Sequence, residues 1–248
     1  MKTHTRLLAF CLLAIGVIIF PATRRGWTNN HEILFSKARI IIEFNETAQD
    51  VGVQVFLDGE PWKTVSVFSP KGTKILNILG QRSLSKQGLT ELFFESSEPS
   101  LANLPLEQFF ARFPAGEYEF EGVTVEGKAI EGEAILTHVI PEGPSIITPA
   151  STTDDPPVVD PANFVIAWEP VTETITVSED LQIAGYQVIV EQVEPRRVYS
   201  VDLPASTHSV MVPPEFFAQR DTLHKFEVLA IESGGNQTIT EGEFVTER

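Results

Sequence analysis

The sequence predicts an all-β protein with two sandwich-like domains in tandem, the first carrying one short amphipathic helix. Three observations predict it. Short apolar, β-branched segments recur through residues 35–140 and again through 163–248, with turn residues between them. Residues 141–162, PEGPSIITPASTTDDPPVVDPA, are too rich in Pro, Ser, Thr and Asp to sustain a helix or central strand, and they divide the two runs. The 248 residues, 42% hydrophobic and 21% charged, suffice for two cores of ordinary size.

In the first run, residues 39–44 and 51–57 read as strands, and Asp58-Gly59 reads as a tight turn into 64–68. Pro70-Lys71-Gly72 turns the chain again into 73–79, and 89–95 and 117–125 continue the pattern. Along Glu117-Tyr118-Glu119-Phe120-Glu121 the alternation is strict, so the aromatics share one face and the carboxylates the other. Gly127 and Lys128 lead into 129–140. The helix is predicted by Leu106, Phe109, Phe110 and Phe113, spaced i, i+3, i+4 and i+7 on one face; Pro105 opens it, and Pro114 with Gly116 stops it. No known family is recognised in residues 35–140.

The segments from about 143 onward follow one plan. Residues 143–149 read as a first, edge strand. Phe164-Val165-Ile166-Ala167-Trp168-Glu169-Pro170 reads as a second, with Phe164, Ile166 and Trp168 facing one way. Ile183-Ala184-Gly185-Tyr186-Gln187-Val188-Ile189-Val190 supplies a facing row of Tyr186, Val188 and Val190, with Gln187 and Glu191 on polar sites. Residues 198–201, 209–212, 226–231 and 238–244 complete seven strands. The Trp of the second strand, the Gly-Tyr start of the third and Gly234-Gly235-Asn236 after the sixth make this region resemble a fibronectin type III domain. The resemblance implies a seven-stranded sandwich. The family's corner Tyr is replaced here by His224, and no Arg-Gly-Asp is present, so integrin-type adhesion has no support.

Residues 1–22 have the shape of a secretory signal or N-terminal anchor. Lys2 and Arg6 precede an apolar run over 7–20, which Pro21 ends. Cleavage after Ala22 puts bulky Phe20 where a small residue is preferred, whereas Ala14-Ile15-Gly16 fits better but shortens the apolar core. Cleavage and retention both stay open. Residues 23–34 form a polar tether. The expected location is extracytoplasmic, whether secreted, periplasmic or at the cell surface, with membrane contact only through an uncleaved N-terminus. Cys11, the single cysteine, lies inside the signal, so the mature chain folds without disulfides. Phe10 spoils the resemblance of Leu8-Ala9-Phe10-Cys11 to a lipoprotein box.

The net charge is −16, and loss of residues 1–22 removes two basic residues and no acid. Such a surface repels phosphates and anionic lipid, which disfavours nucleic acid and anionic membrane as partners. No catalytic, cofactor-binding or metal residue is nominated. His4, His31, His138, His208 and His224 are scattered, and no metalloprotease helix, nucleophile elbow or phosphate-cradling loop occurs. Asp154, Asp155 and Asp160, and Glu179-Asp180, match no standard calcium loop. Glu117, Glu119, Glu131 and Glu133 read as an exposed strand face rather than a hydrolase pair. Asn45-Glu46-Thr47 and Asn236-Gln237-Thr238 have the form of glycosylation sequons.

These features imply a non-enzymatic binding or interaction protein of the cell envelope, with a protein or surface polysaccharide as partner and no cofactor. Its binding surface is expected where the 169–181 connection and the 233–237 turn meet. The alternative is an extracytoplasmic enzyme or carbohydrate-active accessory protein with its site in residues 35–140.

Overall fold

A computed structural model of the chain describes residues 33–150, 156–176, 181–192, 194–217 and 219–247. The strands, in order, are β1 (Ile33–Leu34), β2 (Lys37–Asn45), β3 (Asp50–Phe68), β4 (Lys74–Leu79), β5 (Leu89–Glu95), β6 (Gly116–Thr124), β7 (Ala129–Leu136), β8 (Ile146–Thr148), β9 (Val158–Val159), β10 (Val165–Trp168), β11 (Ile183–Gln192), β12 (Arg197–Pro204), β13 (Ser209–Met211), β14 (Leu223–Glu232) and β15 (Gln237–Thr246). The helices are α1 (Ser83–Gln87) and α2 (Leu106–Arg112), with a 3₁₀ turn at Pro214–Phe216. The protein is predominantly β, as the sequence predicts.

One strand organises the first region. The start of β3 pairs with β2 and β5, and its end pairs with β4 and β6. Asp58-Gly59 is therefore not a turn. The strand runs through it and bends, with pairing irregularities between Asp58 and Trp62 and between Trp62 and Thr64. Gly59 serves close approach instead: a Cβ there would lie 2.9 Å from the Phe35 ring. Trp62 sits at the bend, fully buried with Ile42, Val65, Tyr118 and Phe120. Burying such side chains contributes about 1.5–3 kcal/mol each. The predicted aromatic stripe lies on this core, where Phe109 of α2 is buried and Leu106, Phe110 and Phe113 are partly buried. Tyr118 and Phe120 point inward and Glu117, Glu119 and Glu121 outward, as the alternation predicts. The Tyr118 hydroxyl donates to the Pro114 carbonyl at 3.1 Å.

The second core lies between a three-stranded sheet, β13-β10-β8, and the run β15-β14-β11-β12. This is a fibronectin type III-like sandwich, and every strand sequence reasoning assigned to it is present. Phe164, Ile166 and Trp168 face Tyr186, Val188, Val190, Phe226 and Phe244. The Trp168 and Tyr186 rings lie 5.3 Å apart, and the Tyr186 hydroxyl accepts a hydrogen bond from Val171 N at 3.0 Å. The Gly of the Gly-Tyr motif has a physical cause: a Cβ on Gly185 would lie 2.6 Å from the Leu203 carbonyl oxygen of the paired strand.

His224, in place of the corner Tyr, is a core residue. Its ring stacks on Phe244 at 5.1 Å and 3°, and Nδ1 lies 2.9 Å from the Thr222 carbonyl. A carbonyl only accepts, so Nδ1 carries the proton and buried Nε2 has no partner. Gln187 and Glu191, on the polar side of the strand, are buried and meet polar partners there. Gln187 donates to Asp202 at 2.8 Å, and Glu191 accepts from Arg196 at 2.8 Å.

β15 also pairs in parallel with β2, so one twelve-stranded sheet runs through both cores. Residues Glu32–Arg248 form one compact unit. No helix of the described residues is long and apolar enough to cross a membrane.

Candidate functional site

Among the described residues, buried polar chemistry concentrates along the seam where β15 meets β2. The tight turn from β14 to β15 is shaped by its own side chain. Glu232 accepts from Gly234 N at 2.6 Å and from Asn236 N at 3.0 Å, and Gly235 takes the positive φ of 100° that the turn needs. The turn thereby aims Asn236 into the other core. Asn236 is 1% exposed; its Oδ1 accepts from Ile42 N at 2.8 Å. Its amide nitrogen reaches the Thr137 carbonyl at 3.1 Å, Thr137 Oγ1 at 2.9 Å and the Val139 carbonyl at 2.8 Å. One side chain from the β14–β15 turn thus satisfies three backbone groups of the first region, on β2 and on the 137–139 stretch.

Next to it, Gln237 donates to Glu43, and Thr238 Oγ1 donates to the Pro141 carbonyl at 2.5 Å. Farther along, Asn45 Nδ2 donates to Glu241 at 2.9 Å and Glu241 N donates to Thr47 at 2.8 Å. The 169–176 stretch joins the same strip. Glu142 N donates to the Glu173 carbonyl at 2.9 Å, Ile175 N to the Ile140 carbonyl at 3.0 Å, and Thr176 Oγ1 to the His138 carbonyl at 2.8 Å.

The described part of the 169–181 connection, residues 169–176, and the 233–237 turn converge on one strip, residues 137–142, which polar groups of both hold. His138, within that strip, stacks on Phe110 at 4.0 Å while its Nε2 lies 2.8 Å from the Phe113 carbonyl. Its ring is engaged in packing. His208 packs edge-on against Tyr186 at 5.7 Å.

Carboxylates crowd the outer face of the seam. Glu43, Glu95 and Glu98 bring oxygens within 4.8 Å of one another. Burial, and then the neighbouring carboxylates, hold the Glu43 carboxyl well above its usual range, against the hydrogen bond from Gln237. On β14, burial followed by Glu241 and Glu191 pushes Glu227 up to about 8, while Lys225 opposes the shift. Sequence reasoning missed these carboxylates because they come from β2, from β5 and the chain just after it, and from β14, far apart in the sequence. No local spacing signals them.

A cleft of about 510 Å³ opens beside the seam, lined by Glu46, Glu142, Ser145, Thr240 and Glu241. Burial and Glu142 raise the Glu46 carboxyl. The remaining sequence candidates are elsewhere. Glu117, Glu119, Glu131 and Glu133 lie exposed on the ladder of β6 and β7. Asp160 closes a local turn by accepting from Ala162 N and Asn163 Nδ2. Asp154, Asp155, Glu179 and Asp180, with His4, His31, Cys11 and the export segment, fall outside the described residues. Of the two sequons, Asn236 has its amide buried and Asn45 donates its own to Glu241.

No protein-family model and no curated protein matches the chain. Solved structures similar to it include the FN1-FN3 domains of chicken CNTN1, at 11% identity over 88% of this chain and 65% of that one, TM-score 0.30. A two-domain fibronectin type III segment of chicken tenascin matches at 10% identity over 86% and 99%, TM-score 0.29. A 1.5-MDa bacterial ice-binding adhesin matches at 18% identity over 88% and 66%, TM-score 0.26. The chain thus spans about two thirds of the CNTN1 and adhesin structures, and its fibronectin type III-like character rests on its own strand order.

Proposed function

We propose that the protein is an exported, non-enzymatic interaction protein of the cell envelope, and that it engages an extended segment of a protein partner through the edge of its sheet. The observation that carries this reading is β12, an eight-residue strand that pairs with β11 on one side and ends the twelve-stranded sheet on the other. A strand in that position offers a row of backbone donors and acceptors to an added strand. Its side chains alternate between exposed and half-buried, and Val198 is 45% exposed. The described part of the 169–181 connection and the 233–237 turn are engaged at the seam, which favours the edge over those segments.

The experiment compares wild type with V198K/S200K in retention on cell envelopes and in pull-downs. Charged side chains on an edge strand discourage pairing without entering the core. The expected result is at least a tenfold loss of retention with an unchanged melting temperature. Retention equal to wild type would remove the edge from the reading. Retention competed by soluble surface polysaccharide instead would move the partner to that class.

A further inference from the structure

Resting on β12 as the binding edge, we propose that the strand added to it is β12 of a second copy, antiparallel about a two-fold axis at Ser200. β12 is the least protected edge among the described strands. It pairs with β11 through all eight residues, from Arg197 with Gln192 to Pro204 with Gly185, without a register shift. Edge strands are ordinarily blunted by bulges, lysines, prolines or short length. Between Val198 and Leu203 there is no lysine or proline, and Asp202, the one charge, lies against Gln187 at 2.8 Å. Other strands with an open side carry such protection. β4 and β5 meet β3 across register shifts, Lys74 opens β4, Glu91 and Glu95 charge β5, and β8 and β13 are three residues long.

The strand is its own complement. Tyr199, Val201 and Leu203 are partly buried against the second core, and Val198, Ser200 and Asp202 alternate with them on the other side of the sheet. A two-fold axis perpendicular to the sheet keeps each side of one copy level with the same side of the other, so the axis falls on a residue. At Ser200, two small hydroxyl side chains meet on the axis, and Tyr199 of each copy lies opposite Val201 of the other. Aromatic and β-branched residues are a favoured cross-strand pair. Arg196, just ahead of the strand, bonds Glu191 at 2.8 Å, and Glu191 faces Val198, so Arg196 lies on the Val198 side. The same register sets it diagonally across from Asp202 of the second copy. Its side chain is 59% exposed, and a guanidinium has five donors, so a second carboxylate can be met. An axis at Tyr199 would set Val201 against Arg197, and one at Val201 would bring the two Asp202 carboxylates together diagonally.

Charge selects this partner as well. The chain carries −16, so most faces of two copies repel. Residues 196–204 hold two arginines and one aspartate. An antiparallel order brings their opposite signs together, whereas a parallel one would stack arginine on arginine.

The test reads mass and register on the full chain. Sedimentation equilibrium should give twice the chain mass of 27.5 kDa for wild type and a single chain for V198K/S200K. Opposite residues of antiparallel strands have Cα atoms about 4.5–5.5 Å apart, within disulfide reach. In a C11S background, S200C should therefore link two copies under mild oxidation at least tenfold more than S209C, an exposed control on β13. A wild-type chain that stays single up to millimolar concentration would overturn the self-pairing. So would S200C linkage no higher than that of S209C, or a dimer that persists in V198K/S200K. Envelope retention separates the self-pairing from the binding edge itself. Retention lost in V198K/S200K, with wild type a single chain, would overturn the second copy and leave the edge to a different partner. Retention unchanged in V198K/S200K, with its dimer abolished, would uphold the self-pairing and remove the edge from retention.

Discussion

The two cores solve the same packing problem with different chain economy. The second distributes its walls over seven strands, each short enough to be read from its own alternation. The first uses one 19-residue strand, β3, as part of several ladders at once, bending at Trp62. Each core nonetheless centres on one buried tryptophan, Trp62 or Trp168, whose indole nitrogen has no partner. Both indoles are therefore present for volume and shape rather than for a hydrogen bond. The difference teaches where damage should spread: a lost Trp168 weakens a conventional sandwich, whereas a lost Trp62 also frees the bend that holds β5 and β6 to one strand.

The largest expected effect follows from that. Trp62→Ala and Trp168→Ala should each cost about 3–5 kcal/mol in urea unfolding, the range for emptying a core aromatic site. The comparison sharpens in hydrogen exchange. W62A should expose amides of both β5 and β6, while W168A should expose β10 and leave β5 protected. Equal spreading from the two substitutions would show that the seam, rather than the bend, sets the cooperative unit.

Breaking the seam is the next test. Asn236→Ala orphans Ile42 N and the Thr137 and Val139 carbonyls in buried surroundings. Each unsatisfied group costs roughly 1–3 kcal/mol, and partial rehydration should bring the total to about 2–4 kcal/mol. A second signature distinguishes the joint from a simple core site. With the bridge gone, the two cores should melt in two calorimetric steps where the wild type melts in one. A single sharp step in N236A would mean that the β2–β15 ladder suffices to couple them.

What was legible in the sequence tracks this division. The second core was readable because its signals are local: Phe164, Ile166 and Trp168 alternate within five residues, and Gly185-Tyr186 marks a strand start forced by close approach to Leu203. The helix face was readable for the same reason. Asp58-Gly59 misled because a glycine beside a turn former has the same composition whether the chain reverses or bends past Phe35. For Gln187 and Glu191, strand parity gave the side of the sheet but could not tell that this side is covered. The seam was invisible: Asn236 meets Ile42 across 194 positions, and its local context, Gly-Gly-Asn, signals only a turn. α1 was missed because its five residues carry no buried side chain and so no apolar period.

The smallest expected effect separates two groups of β14, His224 and Glu227, by the direction of their pH response. Burial lowers the His224 pKa from its ordinary 6.5, against the hydrogen bond to Thr222. A depressed histidine contributes stability that is complete above pH 6.5 and lost as pH falls, since the unfolded chain takes the proton first. Glu43 and Glu227 act oppositely, losing their contribution as pH rises. His224→Phe keeps a ring against Phe244 and removes the unpartnered Nε2, but gives up the bond to Thr222. These changes should leave stability at pH 7.5 within about 1 kcal/mol of wild type. Below pH 6 the variant should lose less of its stability on acidification than wild type does, while its behaviour above pH 7 stays unchanged. Measuring H224F and E227Q over the same pH series therefore assigns the acid limb to His224 and the alkaline limb to Glu227, both on β14. An H224F profile altered on the alkaline side would show that the two sites titrate as one network.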